Sequence, residues 1–165
     1  MRRDRMEIHN IDPVWNENSK ILVLGSFPSV KSRSEQFFYA HPQNRFWRVV
    51  AAVTGTPLAK SVDEKKNMLL NCRIALWDVI KSCDITGSAD SSIKNAVPND
   101  LNSILSNSSV DKIFTNGAAA DKLYKKYCEK ETGITAIRLP STSPANAAFS
   151  LGHLTQEWGI IAEYI

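Results

Sequence analysis

Cysteine is scarce in this chain, long apolar runs are missing, and none of the short signatures of the common hydrolases and nucleotide enzymes is present. The three cysteines, Cys72, Cys83 and Cys128, have no Cys-x-x-Cys spacing and an odd count. That argues against a disulfide framework, a zinc finger or a four-cysteine iron–sulfur site, and reduced thiols are expected. No stretch approaches the ~18 apolar residues of a membrane span. The N-terminal MRRDRMEIHN carries charge with no apolar segment behind it, unlike a secretory signal. A cytoplasmic protein that does not enter the membrane is expected. There is no glycine-rich phosphate cradle, no Gly-x-Ser-x-Gly elbow, no His-Glu-x-x-His and no clear pair of carboxylates. Nucleotide-fold, serine-hydrolase and zinc-hydrolase readings are therefore poor.

What remains is an ordinary globular composition. The 165 residues are 43% hydrophobic and 22% charged, enough for a full core in one domain spanning 1–165. The net charge of +3 and a pI near 8.8 permit a polyanionic partner without demanding one. Two basic clusters, Arg2, Arg3 and Arg5, then Lys122, Lys125, Lys126 and Lys130, are interrupted by acidic residues and are expected as solvated surface.

Strand and helix patterns alternate. ILVLGS (21–26) is a continuous apolar run, as a parallel strand buried on both faces should be. Residues 45–53 place Phe46, Val49, Val50 and Val53 on one helical face. Ser61 and Glu64 form a capping box before a helix reaching Leu70. RIALWDVI (73–80) is a second strand. A long polar connection follows, 81–99, expected to be functional or partly helical, with Asn99 capping a short helix. KIFT (112–115) and 135–139 are the third and fourth strands, with helices at 118–128 and at the C-terminus. The expected fold is a three-layer α/β/α sandwich around a four-stranded parallel sheet. Ser26, Ser29, Asn116, Ser141, Ser143 and Asn146 follow strand ends, and Asp78 lies near one. They should converge at the carboxyl edge, where such sheets bind ligands.

The densest segment is YAHPQNRFW (39–47). Phe46 and Trp47 suit the core. Asn44 can cap the following helix or do chemistry, and the residues alone leave both open. GSFPS (25–29) is an ordinary turn or part of a site. STSPANA (141–147) is a turn or the start of a helix whose free N–H groups bind phosphate. The Asn of TNG (115–117) closes a turn, or reads a base edge with its paired donor and acceptor.

Taken together, GSFPSVKSR, FFYAHPQNRFWRV, ALWDVIKSCDITGSADSSI, IFTNG and LPSTSPANA resemble the uracil-DNA glycosylase superfamily. The likeness is strongest to its hypoxanthine-DNA glycosylase branch, and it runs from about residue 21 to 149. The resemblance implies hydrolysis of an N-glycosidic bond in double-stranded DNA containing a damaged base. The base is flipped into a pocket because its bond cannot be reached in the stack. No metal or organic cofactor is implied, and a monomer is expected. GSFPS lacks the water-orienting Asp or Asn that many members carry in this first motif. The resemblance then gives Asn44 the water-positioning or catalytic role, with Asn116 as a second catalytic, base-contacting residue. Tyr39 takes the place of an aromatic that stacks on the base. Ser26, Phe27, His41, Ser141 and Ser143 join Tyr39 in binding substrate. Pro144, Ala145 and Asn146 belong to a loop that grips and wedges the DNA. Hypoxanthine is the expected base, with Asn116 matching its O6 acceptor and N1–H donor. A uracil or G:U/T mismatch enzyme and a non-catalytic DNA-binding relative are the alternatives.

Overall fold

The computed structural model describes residues 5–165; Arg2 and Arg3 lie outside them. In chain order the strands are β1 (Arg5–Ile8), β2 (Ile21–Gly25), β3 (Ile74–Asp78), β4 (Ile80–Ile85), β5 (Lys94–Pro98), β6 (Lys112–Asn116) and β7 (Ile137–Leu139). The helices are α1 (Val30–Glu35), α2 (Phe46–Thr54), α3 (Val62–Asn71), α4 (Asn102–Leu105), α5 (Ala118–Tyr127), α6 (Glu129–Thr132) and α7 (Leu151–Trp158).

The expected four-stranded parallel sheet is present, ordered β3-β2-β6-β7. Every residue of β2 is buried, because both faces of the strand are covered. Alternate side chains point to opposite faces. Ile21, Val23, Ile74, Leu76 and Phe114 pack with Phe46, Trp47, Leu69, Leu154 and Trp158 from α2, α3 and α7. Leu22, Leu24, Ala75 and Ile113 pack on the other side with Ile104 of α4 and Tyr124 of α5. That second layer is only partly helical, since Ile80, Cys83 and Ile85 of β4 complete it.

The main departure from the sequence reading lies in residues 73–99. Residues 73–80 are not one strand. After Asp78 the chain changes sheets: the N–H groups of Val79 and Ile80 donate to the carbonyls of Gly25 and Ser26 at 2.9 and 3.1 Å. β4 then enters a second, antiparallel sheet of order β1-β4-β5. The polar connection is therefore largely a hairpin, closed by a short 3-10 turn at Asp90–Ser92. Asn99 caps no helix; its buried amide donates to the Asp78 carbonyl at 2.9 Å. Ser61 does cap α3, accepting from the Glu64 N–H. STSPANA opens no helix, because α7 begins at Leu151 with Ser150 as its cap. Among the described residues no helix is long and apolar enough to cross a membrane. Cys83 and Cys128 are buried free thiols, and burial pushes both up to about 11.

Candidate active site

The carboxyl ends of β2, β3 and β6, together with the loop after β7, open on one cavity of about 390 Å³. Ser26, Phe27, Tyr39, His41, Asn44, Asn116, Ser141, Ser143, Pro144 and Ala145 all line it. Asn146 does not. It lines an adjoining cavity of about 580 Å³, and its amide donates to the Ser141 carbonyl at 3.0 Å.

Two asparagines and one threonine form the centre of the site. Thr142 is fully buried. Its N–H donates to Asn116 Oδ1 at 3.0 Å, and Asn116 Nδ2 donates back to Thr142 Oγ1 at 3.0 Å. Thr142 Oγ1–H donates in turn to Asn44 Oδ1 at 2.9 Å. Asn44 Oδ1 also accepts the Phe46 N–H at 2.9 Å. Asn44 is not the N-cap of α2, a position held by Arg45 without a side-chain capping bond; it stands one residue earlier, anchors the first N–H of the helix and belongs to the site. With its oxygen holding two donors, it offers the cavity only Nδ2–H. Asn116 is held at both ends of its amide, which fixes its orientation.

The loop after β7 is built rigidly. Gly117, at φ 98, lets it pass close over the end of β6, where a Cβ would lie 3.0 Å from Ser141 Cβ. The Arg45 guanidinium reaches the carbonyls of Ser143 and Asn146 at 2.9 and 3.0 Å and also that of Phe149. The N–H groups of Ser143, Ala145 and Asn146 are taken by Ser141 Oγ, Ser143 Oγ and the Ser143 carbonyl. The loop therefore has no row of free N–H groups, and the phosphate cradle considered from sequence is absent at these positions. Pro144 and Ala145 are left exposed at its tip.

The opposite wall is aromatic and acidic. Phe27 is buried, edge-on to His9 at 6.1 Å. Exposed His41 shapes the turn before α2, its Nδ1 accepting from the Gln43 N–H at 3.1 Å. The Tyr39 ring stacks on Phe46 at 4.2 Å. Its hydroxyl is buried without a hydrogen-bond partner among the described residues. Burial first, then the charge of Asp78, pushes this phenol far above the usual tyrosine range. The Asn116 amide lies close enough to offset part of that rise but closes no hydrogen bond to the hydroxyl.

Two carboxylates reach the cavity that the sequence reading does not pair. Asp78, at the end of β3, is 3% exposed and accepts from His9 Nε2 through Oδ2 at 2.8 Å. Asp90, from the hairpin turn, accepts the Ser26 hydroxyl at 2.6 Å. Much of Asp90 is exposed, yet the crowded rim deprives its carboxyl of water and raises its pKa, with Ser26 opposing. Thr142, Arg45 and His9 also escape the sequence reading. Thr142 and Arg45 stand inside segments already singled out, whereas His9 carries no local signal at all.

A family model described as the uracil DNA glycosylase superfamily matches residues 13–159. The chain belongs to that superfamily. It is 38% identical to a Methanosarcina acetivorans protein named hypoxanthine DNA glycosylase, over 88% of this chain and 91% of that one. A Methanosarcina barkeri protein of the same name is 35% identical over 54% of this chain and 58% of its own. The solution NMR structure of a Methanosarcina acetivorans protein, assigned provisionally as a uracil DNA glycosylase, superposes with a TM-score of 0.79. It is 34% identical and covers 92% of this chain and 94% of its own.

Proposed function

We propose that this protein is a monofunctional DNA glycosylase that removes a deaminated base, hypoxanthine foremost, and leaves an abasic site. It acts as a monomer on double-stranded DNA in the cytoplasm. The observation that carries this reading is the single cavity that gathers Asn44, Asn116, Phe27, Tyr39 and the loop after β7, in a chain so similar to a named hypoxanthine enzyme. A flipped nucleotide enters base first. Phe27 provides an apolar wall, and the exposed tip at Pro144 and Ala145 is shaped to fill the space left in the duplex.

Hydrolysis breaks the bond from C1′ to the base nitrogen and forms one from C1′ to a water oxygen. Negative charge develops on the departing base, and positive charge develops on the sugar. Asn44, with only N–H groups free, suits the negative charge on the base, and its anchoring to Thr142 and α2 means no reorganisation is needed as that charge appears. Asp90 lies on the exposed rim, where the sugar of a flipped nucleotide would remain. One of its oxygens holds Ser26; the other is an acceptor for the proton of the attacking water, and its charge favours the cationic sugar.

The decisive assay is alkaline strand cleavage of duplexes containing deoxyinosine, uracil or xanthine after incubation with the protein. Cleavage fastest at deoxyinosine is expected. Faster cleavage at uracil would move the protein to a uracil enzyme, the reading favoured by its solved relative. No cleavage at any of the three would leave a DNA-binding relative without activity.

A further inference from the structure

We propose that Asp78 and Tyr39 read the base: a buried acceptor and a buried donor matched to the N–H and C=O that deamination creates side by side. This inference rests on the glycosylase reading above and adds residues and a recognition chemistry to it.

Asp78 is fixed from beneath. His9 Nδ1 accepts the Ile11 N–H at 3.2 Å, so the ring proton sits on Nε2 and is donated to Asp78 Oδ2 at 2.8 Å. That bond holds the plane of the carboxylate. Among the described residues Asp78 Oδ1 accepts no hydrogen bond, and it faces the cavity beside Gly25. The glycine is required at this point. A Cβ there would collide with Asp78 Oδ1 and would lie 2.9 Å from the Tyr39 hydroxyl. The end of β2 is thus bare where the two groups meet.

Tyr39 is the complementary half. Its backbone has φ 52, a conformation that side-chain-bearing residues seldom adopt, and its ring is clamped on Phe46. The surroundings hold the hydroxyl at a place where none of the described residues hydrogen-bonds to it. Buried polar groups are nearly always hydrogen-bonded, and one that is not calls for a ligand or a function.

The two groups suit one chemical edge. Adenine has an N1 acceptor beside an N6 amino donor; hypoxanthine has an N1–H donor beside an O6 acceptor. A carboxylate only accepts, so Asp78 Oδ1 takes the N1–H while Tyr39 O–H donates to O6. Adenine would set its N1 lone pair against the carboxylate. Uracil presents the same N–H and C=O at N3 and O4, so the pair reads the product of deamination rather than the purine. Guanine shares the edge and adds a 2-amino group, so its rejection falls to the fit of the cavity around C2. Asn116 is poorly placed to do this reading alone, because Thr142 already binds both ends of its amide.

The test compares binding of two duplexes made resistant to hydrolysis by a 2′-fluoro-arabino sugar. One carries hypoxanthine and the other purine, which lacks both O6 and the N1–H. The wild-type protein should bind the first at least ~10-fold more tightly, because sites built to pair a substrate N–H or C=O reject analogues lacking it. Asp78→Asn and Tyr39→Phe should bring that ratio towards one, and single-turnover release of hypoxanthine should fall ~100-fold in Asp78→Asn. A role in folding alone would not alter the ratio. Tyr39→Phe removes one unpartnered oxygen, so it tests the pairing even if Asp78→Asn fails to fold. Variants that keep the wild-type ratio would overturn the inference while leaving the glycosylase reading standing. A wild-type protein that neither releases hypoxanthine nor prefers it to an undamaged duplex would overturn both.

Discussion

The parallel sheet and the small antiparallel sheet meet at Asp78, and they contribute to the site in opposite ways. The parallel sheet supplies the frame: buried strands, a bare Gly25, and the amides of Asn44 and Asn116 tied through Thr142. The antiparallel sheet supports one carboxylate and supplies another. β1 carries the chain to His9 beneath Asp78, and the β4–β5 hairpin brings Asp90 over Ser26. The first region owes its order to apolar burial and tolerates polar residues only at its edge. The second is ordered by pairing and hydrogen bonds, and it brings one carboxylate, Asp90, to the cavity beside Asp78 of the parallel sheet.

Removing the support under Asp78 is the severest way to break the division between frame and charge. His9 and Asp78 side chains are 1% and 5% exposed. Breaking a buried pair by deleting one partner leaves an uncompensated group and costs ~3–5 kcal/mol. His9→Ala should therefore lower the melting temperature by roughly 10 °C, at ~2–4 °C per kcal/mol for a chain of this size. A loss of under ~1 kcal/mol in urea unfolding would show that the small sheet does not anchor the carboxylate.

On the frame side, Asn44 separates anchoring of α2 from chemistry. Asn44→Ala loses the acceptor of the Phe46 N–H and the N–H donors together, and base release in single turnover should slow ~100-fold or more. Asn44→Asp keeps an oxygen for the Phe46 N–H and the Thr142 hydroxyl but removes Nδ2–H. It should melt near the wild type yet lose as much rate. Near-normal release by Asn44→Asp would reduce this residue to an anchor for the start of α2.

These two variants also mark how much the sequence made visible. The parallel strands are legible because burial on both faces demands unbroken apolar runs such as ILVLG, and their ends announce Asn44, Asn116 and the STSPAN loop. The small sheet is not. β4 reads IKSCDI and β5 KNAVP, half polar because one face meets solvent, and Pro98 ends an edge strand where its missing N–H does no harm. Such segments look like loop. His9 stands 69 residues from Asp78, a pairing no local pattern reveals. Asp78 was therefore legible at the end of a parallel strand, but its support by His9 was not, and Asp90 was visible only as part of a polar stretch.

A middle range of effects tests the coupling between amides. Thr142→Val removes the hydroxyl that links Asn116 to Asn44 while keeping the shape. Each orphaned amide group costs ~1–3 kcal/mol if it stays dry. Stability should fall by about that much, and release should slow ~10-fold as Asn44 loses its fixed orientation. A variant with lowered stability but unchanged rate would show that Phe46 alone orients Asn44. Asp90→Asn should slow release ~100-fold with little change in melting, because the Ser26 hydroxyl can still donate to the amide oxygen. An unchanged rate would take Asp90 out of the reaction.

The smallest expected effect lies on the outer face of the antiparallel sheet, and it sharpens the comparison because nothing should happen there. Ile8 and Val97 both register against Ser82 and are 56% and 49% exposed. On the inner face of the same β4, Cys83 and Ile85 are buried in the core. If the sheet serves the site only through His9 and Asp90, its outer face is free of DNA. Val97→Thr keeps a β-branched side chain, so strand preference is retained, and an exposed position away from any cap or buried network changes stability by no more than ~0.5 kcal/mol. Affinity for a hypoxanthine duplex and its release rate should match the wild type at every salt concentration. A clear loss of duplex affinity in Val97→Thr would mean that the strand edge lies against DNA. The antiparallel sheet would then be a binding surface as well as the holder of the acidic wall.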